Sequence, residues 1–236
     1  MKSYRIHLIR HGVSEGAEKG QYIGATDSPL SENGKNQLKA LALSAQYPKA
    51  DAYFCSANQR CRESLELLYP GTTGTYLRGL EGCNFGEWEG KTAEELQGDE
   101  TYQKWMRGEE GAVPPGGEGN MTFMHRVCEV FEKLVDSMMR SHTENVVLVT
   151  QGDVIMALCA AYGLPRAGLY EWMCEPGHGY TLQITPSLWM RSMVAEVFCT
   201  LPHFETGEEE GDEALQAARQ ALHIAFPAKQ PEEEGK

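Results

Sequence analysis

An apolar run near the start of the chain, Ile6-His7-Leu8-Ile9, ends in Arg10-His11-Gly12 and then turns polar. Such a run predicts a short buried strand whose carboxyl end delivers a guanidinium and an imidazole side by side. Gly12 lets the backbone turn closely and leaves amide N–H groups free to face an anion. A lone Arg-His pair at a strand end is an ordinary surface feature. It gains meaning only if other parts of the chain bring further cations to the same place.

The remainder of the sequence alternates strand and helix signals. Ser31 is a good N-cap for a helix to about residue 45, and residues 50–55 read as a second strand. Residues 56–70 open as a helix carrying Leu65, Leu67 and Leu68. Residues 75–77 read as a short strand, and 79–90 as a glycine-punctuated acidic loop. Thr92 and Glu95 have capping-box spacing, which predicts a helix from 92 to about 106. Pro114-Pro115-Gly116-Gly117 forces irregular structure. Phe123, Val127, Phe131, Leu134 and Met138 then form one stripe of a long helix. Residues 145–150, NVVLVT, are the clearest buried strand. They lead through Gln151-Gly152-Asp153 into a buried-faced helix. Residues 180–185 and 190–200 read as closing strands, with a turn about Pro186. The alternation predicts a three-layer α/β/α sandwich on a mostly parallel central sheet. The domain is expected to span residues 1–205. Residues 206–236 are expected to be an acidic C-terminal helix and tail, with the helix at 213–226.

Charge narrows the partners. The 236 residues carry a formal charge of −13. A field of that sign disfavours nucleic acid and anionic membranes, and it repels anionic small molecules too. A phosphate site in such a chain must therefore assemble its own cations. No run approaches the ~20 apolar residues of a membrane span, and the N-terminus runs straight into a strand, with no signal peptide visible. Seven cysteines without a CxxC pair point to reduced thiols and a cytoplasmic setting. The histidines show no ligand spacing, so neither a metal nor another cofactor is expected.

Five motifs in order resemble those of the histidine phosphatase superfamily, the phosphoglycerate mutase-like group. They are Arg10-His11-Gly12; Gly24-x-x-Asp27-x-Pro29-Leu30-Ser31-x-x-Gly34; Ser56-x-x-x-Arg60-Cys61-x-x-Ser64; Phe85-Gly86-x-Trp88-Glu89-Gly90 with Pro115-Gly116-Gly117-Glu118; and Val147-Leu148-Val149-Thr150-x-Gly152-x-x-Ile155. The resemblance implies a metal-independent phosphomonoester hydrolase acting on a small phosphorylated metabolite through a phosphohistidine on His11. Arg10 and Arg60 would grip the phosphate, a task suited to the planar guanidinium fork.

Four positions depart from the pattern. The family places a Glu where this chain has Gly82, so Glu81, one residue earlier, is the expected proton donor. The family has a second histidine where this chain has Gln151, which can hydrogen-bond a phosphoryl oxygen but cannot carry charge. Reduced activity is therefore expected. His178, in the loop Pro176-Gly177-His178-Gly179, is the candidate to supply the missing imidazole. Asp153 reads as a first-turn acid favouring the helix dipole. Val13 and Ala17 replace a common Glu and Asn. The alternatives are a mutase-type phosphoryl transfer and a non-catalytic phosphate-ligand binder. The oligomeric state is open.

Overall fold

The computed structural model describes residues 3–109 and 111–204. The expected acidic tail and its helix lie outside the described residues. The chain divides after His203, and the fold below is that of Met1–His203.

The strands, in chain order, are β1 Tyr4–Arg10, β2 Ala45–Gln46, β3 Ala52–Ser56, β4 Gly74–Leu77, β5 Asn145–Thr150, β6 Gly163–Leu164, β7 Gly179–Ile184 and β8 Ala195–Leu201. The helices are α1 Glu15–Glu18, α2 Glu32–Ser44, α3 Gln59–Leu68, α4 Glu100–Met106, α5 Asn120–Ser141, α6 Gly152–Tyr162 and α7 Pro186–Ser192. Seven strands form one sheet in the order β4-β3-β5-β1-β7-β8-β6. β4, β3, β5 and β1 are mutually parallel, and β7 runs antiparallel to both β1 and β8.

β5 shows why the sheet needs a layer on each side. Its alternate residues enter different cores. Val146 and Leu148 join Ile6 and Leu8 of β1 under α5 and α6. Val147 and Val149 join Ile9, Leu38 of α2 and Leu65 of α3 on the opposite face. Strands buried on both faces read as continuous apolar runs, as 146–149 does. Each fully buried Val or Leu is worth ~1.5–3 kcal/mol over its exposed state. The stripe Phe123, Val127, Phe131, Leu134 and Met138 of α5 is buried as its spacing required.

Ser31 caps α2 by accepting from the Gly34 amide at 2.9 Å. Two elements differ from expectation. Thr92 and Glu95 do exchange capping-box hydrogen bonds, but only turns follow. Gly98 interrupts the segment, and the helix starts instead at Asp99, whose carboxylate accepts from the amides of Thr101 and Tyr102. Residues 186–192 are helical where a turn about Pro186 and a strand from 190 were expected, because Pro186 occupies the first turn, where its missing N–H costs nothing.

The register sets the site. Arg10 pairs with Thr150 and Cys55 with Val149. The carboxyl ends of β3, β5 and β1 therefore finish level at one edge of the sheet. That edge, where the parallel block meets the antiparallel β7, is the usual place for ligands in open α/β sheets.

Candidate active site

A cavity of about 280 Å³ opens at this edge. Its lining includes Arg10 and His11 after β1, Arg60 of α3, and Gln151, Gly152 and Asp153 after β5. Ser14, Ala17, Gln21, Ile23, Phe85, Met156, Met173 and Cys174 complete it. A larger cleft of about 570 Å³ beside α3 is lined by two glutamates against one arginine and holds no histidine. It is the opposite of an anion site.

His11 is fixed from both ring nitrogens. Its Nδ1 lies 2.5 Å from the Gly12 carbonyl, which can only accept, so Nδ1 carries the proton. Nε2 is then bare and accepts from Arg60 Nε at 3.3 Å. Burial, reinforced by the Arg60 and Arg10 cations, drives the His11 pKa down to about 3. The ring is neutral at physiological pH, with an unprotonated nitrogen facing a guanidinium.

Arg60 is 1% exposed, and its head group is held from several sides. Nη2 donates to Gly24 O at 2.7 Å and Nη1 to Thr26 O at 2.9 Å. Nε is shared between His11 and Gln151 Oε1, the latter at 2.9 Å. The loop supplying those two carbonyls is itself organised by Glu89. That carboxylate accepts from the backbone amides of Gly24, Ala25, Thr26 and Phe85. Gly24 is obligatory, since a Cβ there would stand 1.6 Å from Cys83 O. The start of α3 is tied to the same loop, because Asp27 accepts from the Gln59 amide at 2.7 Å.

Arg10 lines the cavity and donates through Nη1 to Cys174 O at 2.6 Å. Its Nε–H is buried with no protein acceptor. Gly152 makes room for this side chain, since a Cβ there would meet Arg10 Nε at 3.0 Å.

Gln151 is 3% exposed, and its orientation follows from its neighbours. Arg60 Nε can only donate, so Oε1 must face it. The amide nitrogen points the other way, donating to Asn58 Oδ1 at 3.1 Å and Cys61 Sγ at 3.2 Å. Gln151 thus holds Arg60 in place, with its own N–H groups engaged elsewhere.

The sequence brings Arg10, His11, Arg60 and Gln151 together as expected. Glu81 and His178 stand apart from this lining. Glu81 Oε2 accepts from the Gly79 amide at 2.7 Å and lies 3.8 Å from Arg126. The His178 ring bonds the Pro176 carbonyl at 3.1 Å, and only its backbone serves the site edge, accepting from the Arg10 amide at 2.8 Å. Asp153 does line the cavity. It accepts from the amides of Cys83 and Val154, and burial raises its pKa.

Arg126 and Glu89 are structural supports that sequence reading passed over. Arg126 forks onto Glu118 and donates to the carbonyls of Gly79, Glu81 and Gly82. The signal for Glu89 was its place in the Phe85-Gly86-x-Trp88-Glu89-Gly90 motif. Arg126 had none, being one arginine on a long helix. Among the described residues, no group of three or more His, Cys, Asp or Glu is placed to hold a metal ion.

Comparison with known proteins agrees with this geometry. Residues 6–194 match the family described as histidine phosphatase superfamily (branch 1). The chain is 30% identical over 202 residues to the adenosylcobalamin/alpha-ribazole phosphatase of Salmonella typhimurium, covering 84% of this chain and 94% of that protein. In fold it is similar to the alpha-ribazole phosphatase of Shigella flexneri, with a TM-score of 0.68 and 24% identity over 87% of this chain and all of that one. It is also similar to a phosphoglycerate mutase of Bacillus anthracis, with a TM-score of 0.64 and 18% identity over 93% and 97% of the two chains. A strand end that carries Arg10 and His11, a buried arginine from α3 and a match over four-fifths of the sequence together make this chain a member of the histidine phosphatase superfamily.

Proposed function

We propose that the chain is a slow, metal-independent phosphomonoester hydrolase that works through a phosphohistidine on His11. The observation that carries this reading is the state of His11. Its Nε2 is unprotonated and lies 3.3 Å from Arg60 Nε, and the residue lines the cavity together with Arg10 and Arg60. Neutral imidazole nitrogen is the form that attacks phosphorus. Arg10, with its buried Nε–H, and Arg60 would hold the phosphoryl oxygens and stabilise the charge that spreads over them during transfer.

The low rate is inferred from Gln151. The motif resemblance implies a second histidine at this position, and the amide N–H groups of Gln151 are engaged by Asn58 and Cys61. One preorganised donor is typically worth ~10²–10³ in rate. The substrate class is a small phosphorylated metabolite. Alpha-ribazole phosphate is the first compound to try, because the Salmonella relative is named for it. A reduced, cytoplasmic setting belongs to the same proposal, and all seven cysteines are free thiols.

The test is hydrolysis of an aryl phosphate and of alpha-ribazole phosphate by the wild-type chain and by His11→Ala. Acid-labile, base-stable label should be trapped on the wild type from a ³²P-substrate and be absent from the variant. A second reading, a non-catalytic phosphate binder, is favoured by the engagement of the Gln151 amide. It would be upheld if the wild type bound inorganic phosphate but neither turned over nor took up label.

A further inference from the structure

We propose that Asp153 is the general acid and base of this site, the group that protonates the leaving oxygen and later activates water. The inference rests on the phosphatase reading above and deepens it.

Phosphoryl transfer from an alkyl ester needs a proton donor beside the cleaved bond, because an alkoxide is a poor leaving group. Among the side chains lining the cavity, Asp153 is the one carboxyl group. The expected donor, Glu81, is committed to the Gly79 amide and the Arg126 side of its loop. Gly82 explains how the exchange is accommodated. A Cβ built on Gly82 would lie 3.1 Å from Asp153 Oδ2. The Asp153 carboxyl therefore lies directly against the space that a Cβ at position 82 would fill. The glycine and the aspartate are spatially complementary: a carboxyl delivered from the first turn of α6 takes the place of one delivered from the 79–84 loop.

The surroundings hold this carboxyl still while leaving it able to carry a proton. Oδ2 accepts from the Cys83 amide and Oδ1 from the Val154 amide, each at 2.8 Å. These bonds, with the Arg60 and Arg126 cations, favour the ionised form. Burial acts against them and prevails, raising the pKa. Elevation by burial is the usual way in which a carboxylic acid is kept as a proton donor near neutral pH.

In the first step, His11 Nε2 forms the N–P bond as the P–O bond to the leaving group breaks. The leaving oxygen keeps that electron pair and takes the Asp153 proton, giving a neutral alcohol, phospho-His11 and an Asp153 carboxylate. In the second step, water attacks phosphorus and gives a proton to Asp153 as the N–P bond breaks. Phosphate leaves, and His11 and Asp153 return to their starting forms.

The experiment is a leaving-group series, from 2,4-dinitrophenyl through phenyl to alkyl phosphates, on the wild type, Asp153→Asn and Glu81→Gln. The wild type should show a shallow dependence of kcat/KM on leaving-group acidity. Asp153→Asn keeps an oxygen to accept from the Cys83 amide. It should lose about 10²-fold or more on alkyl phosphate, little on dinitrophenyl phosphate, and show a steep dependence. Glu81→Gln should follow the wild type. Uniform loss on all substrates, no loss on any, or steepening in Glu81→Gln instead would overturn the assignment. If Asp153→Asn does not fold, the wild type decides alone, since a steep dependence there means no acid assists. Phospho-His11 trapping separates the two claims. Label trapped from an alkyl phosphate without Asp153 dependence overturns only the acid, whereas no label and no turnover in the wild type on any substrate overturns the phosphatase reading itself.

Discussion

At position 151 a single amide sets which groups the cavity presents, and on the proposed reading it limits the grip on phosphate. Its oxygen is spent on Arg60 and its nitrogen on Asn58 and Cys61. The cavity thereby gains a well-held arginine and lacks a donor from this residue. Gln151→His should bring a ring N–H toward the phosphoryl group and raise kcat on an aryl phosphate by at least about tenfold, toward the ~10²–10³ that one such donor supplies. Gln151→Leu keeps the volume and drops the tether to Arg60, so it should raise KM several-fold. A Gln151→His enzyme no faster than wild type would show that the amide is not what limits turnover. The neighbouring imidazole can be checked directly. Burial and the two arginines hold the His11 pKa near 3, so its ring ¹⁵N shifts in the unliganded protein should stay those of the neutral Nδ1–H tautomer from pH 7.5 to 5. Protonation between pH 6 and 7 would contradict the buried placement. Arg10, His11 and Arg60 were legible in the sequence because strand ends and motif spacing announce them. The bonding of Glu81 to the Gly79 amide and its place beside Arg126 were not, because a one-residue offset in a glycine loop is resolved only by what each side chain finds to bond.

Among the elements, the loop at 24–26 does for Arg60 what a helix terminus does for many phosphate sites: it offers oriented backbone groups, here carbonyls. Four backbone amides converge on the Glu89 carboxylate to shape it. Hydrogen bonds to a charged group are worth ~1.5–3 kcal/mol each at most, and their loss is shared by everything the loop supports. Glu89→Ala should therefore lower the thermal midpoint by several degrees and raise KM for phosphate esters about tenfold. Its effect on kcat should be smaller, because the residue touches no reacting atom. An unchanged KM with a lowered midpoint would confine Glu89 to stability. The Phe85-Gly86-x-Trp88-Glu89-Gly90 motif marks this acid without showing what it holds. Its role depends on residues 63 to 65 positions earlier in the chain, and no local pattern encodes that. The same limit applies at α4. The Thr92–Glu95 exchange is a true local signal, yet Asp99 and the packing of Tyr102 and Trp105 against Tyr22 and Phe85 decide where the helix begins.

For the whole molecule, the alternation of strands and helices was readable because burial on both faces leaves apolar runs, whereas α7 was hidden by an apolar composition that suits strand and helix equally. Burial also acts on two histidines, His7 within β1 and His11 just past its end, and this has a consequence for acid stability. His7, 5% exposed and bonded to Thr181 Oγ1 at 2.9 Å, has its pKa lowered to about 4 by burial first, then by Arg5 and His203. His11 is lowered further. Both values lie below the ~6.5 of an unfolded histidine, so on acidification the unfolded chain binds protons before the folded one. Stability is then full above about pH 6.5 and falls as the pH drops toward 4, by up to ~1.4 kcal/mol per pH unit for each histidine. Asp153, raised by burial, works in the opposite sense as it protonates, while the lowered carboxylates Glu118 and Asp99 act chiefly below their ordinary range. The His7 contribution can be isolated by difference. Urea midpoints of wild type and His7→Gln, compared at pH 7.5, 5.5 and 4.5, should converge on acidification, because the variant has no imidazole to keep neutral. Parallel curves would show that His7 takes up its proton in the folded protein as readily as in the unfolded chain, and that the sheet interior is wetter at β1 than its burial implies.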